Sequence, residues 1–292
     1  MPGRPRALSV LALAVVVGCA PADSTGGGAL TQIDWNLDLE THGGFSAIEV
    51  DPGGTTFTVL NDQGQLVDGR FVRGSEGQIT AIESEPSRPL RGITGELMDQ
   101  EPFPDSEGLA RDRRGRLYVS FEQRGRVWRY DTPDGPATTL GYTTEFALLP
   151  NNKGLEGLAV DDRNRVWTIA ELPGPAGYTT WIREGREWRS GPVIPTSDDY
   201  SAVGMDFDDE GRLYLLERAL RGIFGFQSRV RRFTLPEMTA ETLLTSEVGQ
   251  FDNLEGLSVW RSKDGKPRIT MISDDNFIFF QTTEFVELAL ED

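Results

Sequence analysis

The chain has 292 residues and a formal net charge of −17. That charge argues against nucleic-acid binding and against electrostatic adsorption to anionic membranes, since phosphates would repel it. Apolar and charged contents of 38% and 26% are those of a globular protein, and a single cysteine excludes an intramolecular disulfide.

The first element in chain order is a processing signal. Arg4 and Arg6 precede "ALSVLALAVVVG", an apolar run too short to span a bilayer comfortably. It ends in "VVGC", which resembles the bacterial lipobox, where cleavage precedes the Cys and the Cys then carries the lipid. Ordinary secretory cleavage near "CAPA" is the alternative. Residues 1–18 are thus expected to be a lipoprotein signal peptide, with lipidation at Cys19, and 19–29 a flexible tether of small residues. Ala20 stands where an Asp would suggest inner-membrane retention, so the expected location is the outer membrane, facing the periplasm.

Residues 30–292 are expected to fold as one domain. "LTQIDWNLDLE" alternates like a strand. Five copies of one unit follow: "SAIEVDPGGTTFTVLND", "SEGLARDRRGRLYVSFE", "LEGLAVDDRNRVWTIAE", "AVGMDFDDEGRLYLLE" and "LEGLSVWRSKDGKPRITMISDDN". Each reads as a β-hairpin whose turn is specified by Asp with Gly or Asn, followed by acidic or amide residues. Aligned at Ser46, Glu107, Glu156, Val203 and Glu255, the copies are spaced 61, 49, 47 and 52 residues apart. That is the period of a propeller blade. The C-terminal "TTEFVELALE" also alternates, and pairing it with the N-terminal strand would close the ring and remove exposed edges. The fold class is therefore all-β, a single β-propeller. Five or six blades are expected, because the long first interval leaves room for a sixth. A β-sandwich or two unrelated β domains would not explain the period.

The innermost strand of a blade lines the axis, so a recurring position points at the centre. Glu107, Glu156 and Glu255 hold such a position, whereas Ser46 and Val203 break the pattern. Converging carboxylates need a cation or shifted pKa values, and oxygen ligands without His or Cys suit Ca²⁺ before Mg²⁺. A second acidic and amide cluster comprises Asn61, Asp62, Glu122, Glu171, Glu217, Asp274, Asp275 and Asn276, with Asn152 and Asn253 as neutral donors. The competing reading makes each Glu a structural lock that bonds the backbone of the next blade. Zinc and nucleophilic catalysis are disfavoured: His42, which reads as a turn residue, is the only histidine, and no Gly-x-Ser-x-Gly step occurs. If the protein is an enzyme, a metal-activated water is then the economical mechanism. In "ERALRGIFGFQSRVRRF", Arg221, Arg229, Arg231 and Arg232 are expected to pair with surrounding acids. Arg218, which follows the strand whose counterparts end in the acidic cluster, is expected to bind substrate, as is Lys153 in "NKGLE".

"SEGLARDRRGRLYVSFEQRGRVWRY", "NNKGLEGLAVD", "GRLYLLERALRGIFGFQSRVRRF" and "NLEGLSVWRSKDGKPRITMISDDNF" resemble the phytase-like family described as having esterase-like activity, from about His42 to the C-terminus. The resemblance implies hydrolysis of phosphoesters or esters on a propeller. The dense calcium-and-phosphate motifs of true propeller phytases have no match, so phytate is not the expected substrate. The chain is more distantly similar to calcium-dependent propellers of the gluconolactonase kind, which hold one metal on Glu, Asn and Asp. Carried over, that similarity puts Glu107, Glu156, Glu255 and Asp275 near Ca²⁺. The expectation is a monomeric, lipid-anchored envelope hydrolase of small phosphoesters or carboxylic esters, touching the membrane only through its lipid. The alternative is a non-catalytic propeller that binds a small ligand or an envelope partner.

Overall fold

The recurring turn joins the innermost strand of a blade to the second. In "DRRGR", Asp112 accepts the backbone N–H groups of Arg114 (2.9 Å) and Arg116 (3.0 Å), the Arg116 Nε (2.6 Å) and the Tyr118 hydroxyl (3.1 Å). Asp161 does the same with Arg163, Arg165 and Trp167, and Asp208 with Glu210, Arg212 and Tyr214. The fourth residue of each turn is left-handed: Gly115 (φ 80°), Asn164 (φ 64°) and Gly211 (φ 78°). Only Gly, Asn or Asp takes that conformation readily, which is why the turns carry them.

The computed structural model describes residues 10–11, 28–36, 43–98, 104–150, 153–196 and 198–291. Two strands precede the first blade in the chain, β1 (Val10–Leu11) and β2 (Leu30–Asp34). Blade one is β3 (Phe45–Val50), β4 (Thr56–Asn61), β5 (Gln65–Arg73) and β6 (Ile79–Ser84), with β7 (Arg88–Pro89) beside β5 and β1 beside β6. Blade two is β8 (Ser106–Arg111), β9 (Leu117–Phe121), β10 (Arg126–Tyr130) and β11 (Thr138–Thr139). Blade three is β12 (Leu155–Val160), β13 (Val166–Ala170), β14 (Thr180–Glu184) and β15 (Glu187–Ser190). Blade four is β16 (Ser201–Phe207), β17 (Leu213–Leu220), β18 (Phe226–Thr234) and β19 (Thr239–Thr245). Blade five is β20 (Asn253–Arg261), β21 (Pro267–Asp274) and β22 (Glu284–Ala289), completed by β2 from the other end of the chain.

The protein is thus an all-β propeller of five blades. The sixth blade allowed for in the sequence is not formed. The long first interval is taken up by the nine-residue β5, by β7 and by an Arg91–Leu97 bridge. Ring closure runs as expected: β2 pairs antiparallel with β22, Leu30 opposite Leu288 and Asp34 opposite Glu284. Trp35, just beyond β2, stacks on Phe45 of blade one (5.2 Å between centroids) and tilts against Phe285 of blade five (5.2 Å). Burying each such ring stabilises by about 1.5–3 kcal/mol, so the seam between the first and last blades is well packed.

The innermost strands β3, β8, β12, β16 and β20 surround the axis, each starting at the glutamate level and ending at the aspartate turn. All five change register at that level, between Phe45 and Ala47, Ser106 and Leu109, Leu155 and Leu158, Ala202 and Gly204, and Leu254 and Gly256. Such bulges re-aim side chains. The glycine that follows the recurring position admits the neighbouring blade. A Cβ on Gly108 would lie 2.5 Å from the Glu156 carbonyl oxygen, and one on Gly204 would lie 2.6 Å from that of Glu255. Cys19, His42 and Asn152 lie outside the described residues.

Candidate metal and substrate site

The bulged inner strands and the ends of their partners bring carboxylates together at one mouth of the axis. Oxygens of Asp105, Glu107 and Glu122 lie within 4.8 Å of one another, as do those of Glu122, Glu156 and Glu171. Glu122 is shared, so the five acids form a continuous arc across blades two and three. Burial pushes Glu107 well above the usual carboxylate range, and the charges of Glu156 and Glu255 add to it. Glu156 is raised in the same way, by burial and then by Glu171 and Glu255. Glu122 is pushed up to about 7, mainly by burial, against the Gly154 N–H that donates to it at 3.1 Å. Asp62 of blade one is raised to about 6 by burial and by Asp105 and Glu255. Its Oδ1 is buried without a hydrogen-bond partner.

Two cations face these acids. Lys153 Nζ contacts Glu171 at 3.0 and 3.2 Å. Arg218 Nη1 donates to Asn253 Oδ1 (2.6 Å) and to Glu255, and its Nη2 lies 3.9 Å from Glu171. The guanidinium sits over the Phe226 ring, 5.6 Å from its centroid. Glu217, one residue back and on the other face of β17, is fully buried between Arg229 (2.8 Å) and Arg231 (2.6 Å). That makes it an internal clamp rather than part of the site, and removing one partner of such a buried set costs about 3–5 kcal/mol. Arg221 pairs with Asp199 and Arg232 with Glu241. Of the arginine-rich stretch, Arg218 reaches the carboxylate arc, through Glu171.

The residues expected around a metal are divided by the structure. Glu107 and Glu156 lie in the arc, and no hydrogen-bond donor among the described residues contacts either carboxylate. That differs from a structural lock. The lock geometry is instead supplied by Glu122, bonded to Gly154 of the next blade, and by Asp275, which accepts the Gly44 N–H at 3.0 Å. Glu255 faces the arc but is ion-paired to Arg218 and accepts the Asn253 amide at 2.9 Å. Asp275 also accepts the Phe277 N–H and the Thr283 hydroxyl, both at 3.0 Å. The neighbouring Asp274 is raised to about 8 through burial and Glu255.

Asp105 is the member of the arc that sequence reasoning did not assign. Its backbone is left-handed (φ 45°), a conformation that is uncommon outside Gly and marks turns and functional sites. Its position two residues before Glu107 was a usable signal only once the bulge was known. The opposite mouth was missed altogether. A cavity of about 790 Å³ there is lined by Glu49, Arg111, Asp206 and Trp260, among others. It does not include the arc. The arc is the better candidate for chemistry, because it combines shared carboxylates, unbonded glutamates and two cations within reach.

Residues 40–277 match the model of the family described as "Phytase-like: Esterase-like activity of phytase". No curated protein matches the chain. Among solved structures, an aldose sugar dehydrogenase of Streptomyces coelicolor in its PQQ-bound form is 14% identical, with a TM-score of 0.47 over 92% of this chain and 100% of that one. A virginiamycin B lyase of Staphylococcus aureus is 10% identical (TM-score 0.48, 90% and 100%). A gluconolactonase of Xanthomonas campestris is 12% identical (TM-score 0.45, 98% and 99%). At these scores none of the three bears on the reaction.

Proposed function

We propose that this chain, which belongs to the phytase-like family with esterase-like activity, hydrolyses small carboxylic esters or phosphoesters at the carboxylate arc with the help of a bound Ca²⁺. The observation that carries the reading is the pair Glu107 and Glu156, half-buried carboxylates that no described donor contacts, set between the acids of two overlapping triads. Such a donor set fits a hard cation and not zinc, since it is all carboxylate. The partnerless Asp62 Oδ1 beside it is a further oxygen in want of a partner. Asp105, Glu107, Glu122, Glu156 and Glu171 would hold the ion, which when bound supplies Lewis acidity and a more acidic water.

The chain's own residues do the rest. Arg218, fixed by Asn253 and Glu255 and backed by Phe226, presents a planar donor for a phosphoryl or acyl oxygen. Lys153 adds a mobile point charge at the edge of the arc. The proposal includes a monomer held at the cell envelope by a lipid on Cys19, supported by the lipobox-like "VVGC".

The test is turnover of an aryl ester and an aryl phosphate panel, with and without EDTA. Turnover on at least one class, abolished by EDTA, restored by Ca²⁺ and reduced at least tenfold in Glu156→Gln, is the expected result. Turnover indifferent to EDTA removes the metal. No turnover on either class removes the hydrolase and favours a binding propeller.

A further inference from the structure

The mouth that holds the arc is rimmed on one side by exposed apolar side chains. In blade five, β21 ends at Asp274, and the loop that follows exposes Phe279 (98%) and Phe280 (71%), whose rings meet edge to face at 5.3 Å. In blade four, β17 carries Arg218 and runs into a loop that exposes Ile223 (96%) and Phe224 (74%). Strand register puts both loops at the glutamate end of the axis, since Arg218 lies opposite Ser201 and Asp274 opposite Asn253.

Hydrogen bonds tie these loops together through the segment between them. Gly249 N–H donates to Phe226 O at 2.8 Å, and Val248, also exposed, stands next to it. The same connection continues to Asp252, which accepts the Gln281 amide and the Thr282 N–H, both at 2.7 Å. The aromatic loop is also held at its root. Asn276 and Phe277 are both left-handed (φ 50° and 53°), fixed by Asp274 and Asp275. Two consecutive strained residues, one of them a bulky Phe, persist only when their surroundings impose them. Phe277 itself packs over Gly44, beside Asp62 of the site. The two loops therefore meet the site at Phe277, beside Asp62, on one side and at Phe226, under Arg218, on the other.

We infer that the rim formed by Ile223, Phe224, Val248, Phe279 and Phe280 binds the apolar part of the substrate, so that the site takes amphiphilic esters bearing a long acyl or aryl group. The inference rests on the ester-hydrolase reading of the arc. Polar ester or phosphoester oxygens face Arg218 and Lys153, while the chain or ring lies across blades four and five. Surface apolar residues scattered singly need no explanation, but exposed apolar side chains gathered on two loops that border a polar site, two of them in ring contact, do. Each methylene buried on the rim adds about 0.8 kcal/mol, close to fourfold in affinity, until the patch is covered.

Two measurements on the full-length protein test this separately from catalysis. Binding of non-hydrolysable alkylphosphonates from two to twelve carbons is followed by calorimetric titration below their micelle-forming concentrations, and kcat/KM is measured for aryl esters of the same lengths. Affinity and kcat/KM are expected to climb with chain length, and the double variant Phe279→Ser, Phe280→Ser is expected to lose at least tenfold on the longest member and less than twofold on the shortest. Chain-length-dependent binding without turnover supports the rim and rejects the hydrolase. Turnover with no chain-length dependence, or a variant that loses equally at all lengths, overturns the rim and leaves the hydrolase standing. Association of the protein with neutral phosphatidylcholine vesicles that the double variant abolishes, with no effect on chain length, assigns the patch to a membrane surface and also overturns the inference.

Discussion

Asp206 shows how a carboxylate at the axis can carry a pH signature without belonging to the arc. It sits at the opposite mouth, accepts the backbone N–H groups of Phe207 and Val259 (both 2.7 Å), and is raised to about 7 mainly by burial. Glu49, which faces it, is also raised, by burial and by Asp206, with Arg111 opposing; Asp208 adds a like charge to Asp206, and Ser258 a hydrogen bond. A folded-state pKa above the unfolded value of 3.8 means that the native form keeps a proton the unfolded chain has released. The stabilisation from this group is complete below pH 3.8 and lost as pH rises through about 7. Asn at this position does not titrate and can still accept one of the two N–H groups. Asp206→Asn is therefore expected to melt above the parent at pH 8, with the difference shrinking or reversing at pH 5. Melting curves across that range check it, and a difference constant with pH would contradict the shift. Glu107 and Glu156 make the complementary point: a reading of the chain could locate them, but not the absence of donors to them among the described residues.

Within the inner strands, the Glu-Gly step combines two separate requirements. The bulge turns the glutamates of blades two and three into the arc, and the glycine lets adjacent strands approach. In Gly108→Ala the new Cβ would meet the Ser120 hydroxyl at 2.4 Å, the Glu156 carbonyl at 2.5 Å and the Leu158 Cβ at 2.7 Å. Two of these belong to the next blade, and one is backbone, so the strands must part. The expected cost is toward the upper end of about 1–3 kcal/mol, read from urea unfolding. Gly174→Ala is the control, because its added Cβ meets nothing closer than 3.7 Å. It should change stability by less than about 0.5 kcal/mol. Equal effects of the two substitutions would show that the axis is not tightly packed at this level.

The ring as a whole depends on a strand borrowed from the far end of the sequence. β2 completes blade five, and Trp35 packs between blades one and five. Deleting residues through 36 would expose the β22 edge and remove that ring from the seam, so the closed propeller should give way to aggregation or a broad, non-cooperative melt. Deletion through residue 27 removes only the short β1 pairing among the described contacts and should preserve a sharp melt. A cooperative transition after the longer deletion would mean that closure does not hold the ring. The arc draws acids from blades two and three, and Arg218, Asn253 and Glu255 from blades four and five, so loss of closure should abolish any cation-dependent rise in melting temperature as well.

The sequence by itself determined the repeat, because hairpin turns are local. An aspartate bonded two and four residues ahead, with Gly or Asn at the left-handed position, writes four of the five blades into a few consecutive letters, and Ser262 takes the aspartate's place in the fifth. Ring closure was legible for a related reason, since two alternating strands stood unpaired at the ends of the periodic region. The recurring Glu was visible, and so was Arg218, but not which acids share a site. Asp105, Glu122 and Glu171 meet Glu107 and Glu156 only because bulges rotate the inner strands and neighbouring blades converge. Whether a glutamate is bonded or bare depends on donors tens of residues away, and the five-blade count depends on how the long first interval folds. Those are contacts between separate parts of the chain, which no local pattern encodes, and tertiary structure alone decided them.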